Sequence, residues 1–193
     1  MWPSFKKNKL ESLEKFKEKK QVDEKVLGIL NLINKNEKLV TSSSCSGRIT
    51  LLEITEKKGD AHFYKKWHRE VSFEEVWGAL SSYSGNRKLW FRCEAFILHV
   101  FAQDLVSAKE LLLLARKAGF KRGGIWGFRK DWPFLELMGT SEFAVPVFDS
   151  HLLVSKEHLE YIVKTANSTL SKNYSQLEKF ERELGLPQTR DKR

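Results

Sequence analysis

Apolar residues recur along much of the chain with the spacing of amphipathic helices. They fall three or four positions apart in residues 5–20, 22–34 and 155–184, and again in the segment that follows Asp104. This spacing places the apolar side chains on one face of a helix, so each segment is predicted to be helical. Ser72 and Glu75 form a capping box, which predicts one more helix start between these segments.

Other stretches are rich in β-branched and aromatic residues, which is typical of strands. The predicted strands are residues 38–44, 47–55, 87–102, 124–130, 134–139 and 143–148. Residues 87–102 are long enough for two strands or for one bent strand. Gly119 is predicted to be the left-handed C-cap of the helix that begins after Asp104.

This order of elements predicts an α+β fold with helices packed on a mixed, mostly antiparallel sheet. A single domain is expected over residues 1–185, with a basic N-terminal helix at 1–20 and a flexible tail at 186–193. No G-x-G-x-x-G motif follows a strand, so a Rossmann-type nucleotide site is not expected. The N-terminus lacks a signal peptide, and no apolar run is long enough for a membrane span, so a cytoplasmic location is expected.

The balance of charges adds a prediction about partners. Lys and Arg number 34 against 25 Asp and Glu, which gives a net charge of +9. Such an excess favours a polyanionic partner, and aromatic residues (12%) can stack on unpaired bases. The alternative is a solvated basic face with the tryptophans in the core. The two cysteines, Cys45 and Cys93, form no C-x-x-C pattern, so no metal site is expected.

Residues 41–48 read TSSSCSGR, a run of small polar side chains between two apolar runs. Hydroxyl groups, the backbone N–H groups near Gly47 and the Arg48 guanidinium together suit a carboxylate or a phosphate. Two interpretations stay open here, an anion-binding loop and a strand–turn–strand with exposed serines. Cys45 would be a nucleophile only beside a base that the sequence does not identify.

Two histidines are candidates for proton transfer. His68 follows a tryptophan in KKWHREV, and His99 lies among apolar residues in CEAFILHV. A histidine in a strand is also commonly a hydrogen-bonded core residue. Glu94 is five positions before His99, so the strand must bend or bulge if both act in one site.

The motifs VTSSSCSGRI, KKWHREV, CEAFILHV, AGFKRGGI and LLVSKEHLEYIVKTANSTLSKN, in this order, resemble those of the tRNA wybutosine-synthesis protein family, third member, and its archaeal homologues. The resemblance covers about residues 20–185. Ala95 stands where the family commonly has a proline, and GGI at 123–125 replaces a small-residue SGI turn.

The resemblance implies a methyltransferase that uses S-adenosylmethionine without the usual Rossmann fold. Its substrate would be the anticodon loop of tRNA-Phe, where a tricyclic 7-aminocarboxypropyl-demethylwyosine base next to the anticodon receives a methyl group on N4. For this activity the candidate catalytic residues are His68 and His99, with Glu94 as an orienter or as the partner of the donor's ammonium group. The candidate donor contacts are Ser42, Ser43, Ser44, Ser46, Gly47 and Arg48. The candidate tRNA contacts are Lys57, Lys58, Trp67, Lys121, Arg122 and Trp126, with Trp132 as an alternative stacking floor.

A different class of function also fits these residues. A tRNA-binding or RNA-binding module without a catalytic step would use the serine-rich loop to hold phosphate. Donor binding distinguishes this module from the methyltransferase. A monomer or a weak dimer is expected.

Overall fold

The structure is a computed structural model that describes residues 1–55 and 59–186. Within these ranges the chain forms five helices and nine strands. The helices are α1 (Trp2–Glu18), α2 (Glu24–Lys35), α3 (Phe73–Ser81), α4 (Leu105–Lys117) and α5 (Lys156–Gly185). The strands are β1 (Leu39–Cys45), β2 (Arg48–Ile54), β3 (His62–Trp67), β4 (Lys88–Glu94), β5 (Ile97–Ala102), β6 (Arg122–Arg129), β7 (Trp132–Met138), β8 (Phe143–Asp149) and β9 (His151–Leu152). The flexible tail was predicted for residues 186–193, and only residue 186 of this segment is within the described ranges.

The predicted helices are confirmed, and their ends follow local chemistry. The capping box at the start of α3 is formed, since the hydroxyl of Ser72 accepts from the Glu75 N–H and the Glu75 carboxylate accepts from the Ser72 N–H. Asp104 caps α4 by accepting from the N–H of Ser107 at 2.8 Å. Gly119 ends the same helix with a φ of +90°. None of the described helices is long and apolar enough to cross a membrane.

The described strands form two sheets in which the paired strands are antiparallel. The strand orders are β1-β5-β7-β6 and β3-β2-β4-β8-β9. Residues 87–102 form two strands, β4 and β5, that belong to different sheets, and the short β9 was not predicted. The prediction of an α+β fold with mostly antiparallel strands and without a Rossmann-type sheet is confirmed, although two sheets replace the single one expected.

The chain divides into two compact units. The first contains Met1–Ser46, Ile97–Thr140 and, of the described residues at the end of the chain, 174–186. One face of its four-stranded sheet is buried, and α4 packs on strands β5, β6 and β7. The buried side chains on this face are Leu98, Val100, Leu135 and Leu137. The opposite face carries polar and aromatic residues at the alternate positions.

The second unit contains Gly47–Phe96 and Ser141–Asn173. It includes the five-stranded sheet, α3 and the first part of α5. That part of α5 buries a stripe with helical spacing, as predicted, through Leu159, Val163, Ala166 and Leu170. The amide of Asn167 bonds both backbone groups of Val71, at 3.0 and 2.8 Å, and so fixes the segment after β3.

Candidate active site

One face of the sheet in the first unit presents a row of polar side chains across three neighbouring strands. Strand register pairs His99 of β5 with Glu136 of β7, and alternation puts Phe101 and Phe134 on the same face. Ser43 of β1 reaches this row because β1 carries one extra residue, a bulge, between Thr41 and Ser44. We call the surface formed by Ser43, His99, Phe101, Phe134 and Glu136 the histidine face.

The polar row is joined by hydrogen bonds. The Ser43 hydroxyl lies 2.7 Å from Nδ1 of His99, and Nε2 of His99 lies 2.9 Å from a carboxylate oxygen of Glu136. The side chains of His99 and Glu136 are only 20% and 13% exposed. Water therefore competes little for the bond to Glu136, whereas Ser43 is exposed and its bond to His99 remains open to solvent. The two bonds orient the imidazole from both sides.

The chemistry of this row follows from what each group can donate. An ionised carboxylate only accepts, so in the tautomer that pairs with it Nε2 of His99 donates to Glu136 and Nδ1 accepts from the Ser43 hydroxyl. The Nδ1 atom can take up a proton, directly or through Ser43, and the Glu136 carboxylate then stabilises the imidazolium. The row can thus remove a proton from a group placed on the histidine face.

A cavity of about 330 Å³ lies at the open edge of β1, which pairs only with β5 among the described strands. This volume is at the lower end of the range for small-molecule sites. The wall formed by β1 carries hydroxyl groups, and the rest of the lining combines apolar and polar side chains. The lining residues are Lys9, Ser12, Leu13, Phe16, Gln21, Val22, Leu30, Thr41, Ser42, Ser43 and Ser44.

Three of the serines predicted from the TSSSCSGR motif lie in this wall. The Nζ atom of Lys9 donates to the Ser42 hydroxyl at 3.1 Å, and burial, followed by the charge of Arg129, lowers the pKa of Lys9. The hydroxyl oxygen of Ser44 is buried without a hydrogen-bond partner among the described residues. A buried polar atom of this kind costs about 1–3 kcal/mol, so a ligand group that bonds to it would be favoured here.

The end of the same motif fixes the turn into β2. Ser46 is buried, and its N–H and hydroxyl donate to the Asp23 carboxylate at 2.9 and 3.2 Å. Gly47 has a φ of +94°, and a Cβ atom there would lie 2.9 Å from the carbonyl oxygen of Glu94. Both conditions favour glycine, so backbone geometry explains why the residue at position 47 is a glycine.

In the second unit, Arg48 and Glu94 face each other across strands β2 and β4. The Arg48 guanidinium donates to the Glu94 carboxylate and lies 4.4 Å from the ring centre of Phe63. The other carboxylate oxygen of Glu94 is 3.3 Å from the guanidinium of Arg92. Glu94 therefore shares its single negative charge between Arg48 and Arg92, and the anion-holding role of Arg48 stays a prediction.

The remaining predicted residues lie in several places. Trp67 ends β3 in the second unit, and Trp67 and His68 are both half-buried. In the first unit, Lys121 and Arg122 are exposed at the start of β6. Trp126 is the extra residue of a bulge in that strand and is 72% exposed. Lys57 and Lys58 lie outside the described residues.

Trp132 differs from Trp126 in its environment. Its ring stacks on Phe5 at 4.7 Å between ring centres and lies 5.4 Å from Trp2 in an edge-on arrangement. It is thus part of an aromatic cluster formed with α1. Trp126 is the more accessible of the two rings for stacking with a base.

Sequence patterns did not identify Glu136 or Lys9. Glu136 stands in FLELM, where a single acidic residue in an alternating strand is typical of a solvent-facing position. Lys9 is one of many lysines on the amphipathic helix α1. The partner of each residue depends on strand register and helix packing, which only the folded chain provides.

Comparisons with known proteins agree with the motif resemblance. The sequence profile of the family described as Methyltransferase TYW3 matches residues 4–185. A Thermococcus sibiricus protein named tRNA(Phe) 7-((3-amino-3-carboxypropyl)-4-demethylwyosine(37)-N(4))-methyltransferase is 38% identical over 182 residues, which cover 93% of this chain and 92% of that protein. The protein of the same name with the suffix 1 from Pyrococcus furiosus is 36% identical over 179 residues, covering 91% of each.

A solved structure has the same fold. The PH1069 protein from Pyrococcus horikoshii superposes with a TM-score of 0.88 at 34% identity, and the match covers 96% of each chain. The family profile and these identities extend over nearly the whole sequence. The chain therefore belongs to the TYW3 methyltransferase family.

Proposed function

We propose that this chain transfers a methyl group from S-adenosylmethionine to N4 of the 7-aminocarboxypropyl-demethylwyosine base of tRNA(Phe). The observation that carries this proposal is the position of Ser43, which lines the cavity at the edge of β1 and also bonds to His99. A cavity able to hold a small molecule and a group able to accept a proton thus adjoin in one unit. The relatives' names supply the acceptor base.

The cavity residues fit the methyl donor. S-adenosylmethionine supplies an electrophilic methyl group, and it carries an apolar-faced adenine besides its amino-acid and ribose groups. The side chains of Leu13, Phe16 and Leu30 can pack on the ring, and the unpartnered hydroxyl of Ser44 can bond a polar group of the donor. The sequence-predicted donor contacts of Ser46, Gly47 and Arg48 stay predictions.

The histidine face fits the acceptor base. Methyl transfer to a ring nitrogen needs the nitrogen lone pair in line with the methyl group, and it needs a base only if that nitrogen carries a proton. In this proposal His99 accepts the proton, and Glu136 orients the ring and stabilises its charged form. Catalytic roles for His68 and Glu94, both in the second unit, stay predictions.

The hairpin of β6 and β7 supports the choice of tRNA as partner. It exposes Trp126 and Phe128, by 72% and 59%, together with Lys130. Exposed rings beside cations are suited to unpaired bases and phosphates. We therefore place the anticodon loop against this hairpin. We further propose that the protein is cytoplasmic and that it is a monomer or a weak dimer. In this proposal residues 1–185 form one catalytic domain.

The test is incubation of the protein and S-adenosylmethionine with tRNA(Phe) that lacks the N4 methyl group, followed by mass spectrometry of the nucleosides. We expect the mass of the modified base to rise by one methyl group. Ser44→Ala should weaken donor binding in calorimetry, and His99→Ala should slow transfer while donor binding persists. An unchanged nucleoside mass, with donor bound and RNA intact, would refute the enzyme and leave an RNA-binding module.

A further inference from the structure

Two cations in the first unit lie over the same aromatic ring. The Nζ atom of Lys9 is 5.8 Å from the ring centre of Phe5, and the guanidinium carbon of Arg129 is 4.9 Å from it. No carboxylate of the described residues lies within ion-pair distance of either cation. Two neighbouring positive charges that share a ring and have no acidic partner form a site that an anion would stabilise.

This pair is held in place by the aromatic cluster beneath it. Phe5 stacks on Trp132 and meets Phe101 edge-on at 5.1 Å between ring centres. The start of α1 is anchored by the indole N–H of Trp2, which donates to the carbonyl of Glu37 at 2.9 Å. The two cations therefore project from a packed support.

The pair lies close to the reactive end of the histidine face. Lys9 bonds to Ser42, whose neighbour Ser43 bonds to His99. Lys9 also lies 5.5 Å from the ring centre of Phe101, two residues along the strand from His99. Residues two apart on one strand face are separated by about 7 Å. The distance from these cations to a nucleobase bound at His99 is thus about the length of a short side chain.

We infer that Lys9 and Arg129 bind the carboxylate of the aminocarboxypropyl side chain carried by the acceptor base. This inference rests on the proposed function. A guanidinium binds a carboxylate through paired N–H groups, and an ammonium adds a point charge from a second direction. The two residues would therefore select the acceptor that carries this side chain over one that lacks it.

The experiment compares two forms of tRNA(Phe), one whose demethylwyosine base carries the aminocarboxypropyl group and one whose base lacks it. Affinity and kcat/KM are measured for both tRNAs with the wild type, Lys9→Met and Arg129→Met. Lys7→Met is the matched control, because Lys7 is an exposed cation on the same helix and its loss changes the net charge equally. Calorimetry with S-adenosylmethionine alone measures donor binding.

The wild type should prefer the carboxylated tRNA by about tenfold or more, the value of one charge-assisted contact. Lys9→Met and Arg129→Met should reduce this preference towards one, through a loss on the carboxylated tRNA. Donor binding should be unchanged in Arg129→Met, because Arg129 does not line the donor cavity. Lys9→Arg should retain part of the preference. Lys7→Met should leave the preference as in the wild type.

Three results would overturn the inference. Equal losses on both tRNAs would assign the cations to phosphate, and weaker donor binding in Arg129→Met would assign them to the carboxylate of the donor. If the wild-type protein shows no preference between the two tRNAs, it has no site for the aminocarboxypropyl side chain of the base. Affinity can be measured without turnover. If the protein methylates neither tRNA but still prefers to bind the carboxylated tRNA through Lys9, the proposed function is refuted and the inference about Lys9 stands.

Discussion

Replacing Glu136 by glutamine removes a charge from the histidine face and keeps the shape of the side chain. The amide oxygen of the new residue can still accept from Nε2 of His99. Only the charge on the acceptor changes, so the substitution separates the electrostatic role of Glu136 from its role in orienting the ring. Glu136→Ala removes both roles.

The expected magnitude follows from the bond at 2.9 Å between His99 and Glu136, whose carboxylate is only 13% exposed. A hydrogen bond to a charged group contributes about 1.5–3 kcal/mol and a neutral one about 0.5–1.5 kcal/mol. The difference of about 1–1.5 kcal/mol corresponds to a loss of about five- to twelvefold in the rate of methyl transfer for Glu136→Gln. Glu136→Ala leaves a poorly solvated N–H group without its acceptor, and a loss of about 100-fold is expected.

The assay is steady-state methylation over a range of tRNA concentrations, with kcat, KM and the unfolding midpoint recorded for each variant. A positioning role lowers kcat and leaves KM near the wild-type value, because the groups act when the acceptor loses its proton. Glu160→Gln is the control, since Glu160 is exposed on α5 and its replacement changes the net charge equally. Wild-type turnover in folded Glu136→Gln and Glu136→Ala proteins would refute the role assigned to His99 and Glu136.

Three other predictions concern the turn, a helix cap and the charge of the chain. Gly47→Ala should lower the free energy of unfolding by about 1–3 kcal/mol, because of the positive φ and the close carbonyl oxygen; an unchanged urea midpoint would contradict this. Asp104→Ala should cost about 1 kcal/mol at neutral pH. The N–H of Ser107 lowers the pKa of Asp104. The stabilisation of the folded state by the Asp104 cap is therefore present above the unfolded-state pKa of about 3.9 and is lost as pH falls through the lower folded-state pKa. If the urea midpoints of wild type and variant stay equally far apart below that pH, the capping role of Asp104 is refuted. Affinity for tRNA should fall steeply between low and physiological salt, as expected for a net charge of +9, and a flat response in filter binding would show that the cations face solvent.

Local chemistry determined what could be predicted of the fold. The capping box at Ser72 and the C-cap at Gly119 depend on residues a few positions apart, so the sequence was sufficient to find them. The division of residues 87–102 between two sheets depends on which distant strands pair with each half. Composition along a strand carries no information on its partner, so this division could not be predicted.

The candidate site shows the same limit. The serine-rich run and His99 were identified because unusual residue types stand in apolar surroundings. The acceptor of His99 lies 37 positions away and is brought into register by the pairing of β5 with β7. Arg48 and Glu94, each predicted for a separate role, meet across two strands and form an ion pair.

The bulge in β6 has a consequence for the behaviour of the protein in concentrated solution. β6 is an edge strand of the described sheet, and it exposes Ile125, Trp126 and Phe128. A regular apolar edge of this kind would pair with the same edge of another copy and start aggregation. The extra residue interrupts the hydrogen-bonding repeat, and the arginines at both ends of the strand repel a like-charged copy. Substitutions that neutralise Arg122 or Arg129 therefore remove a barrier to self-association.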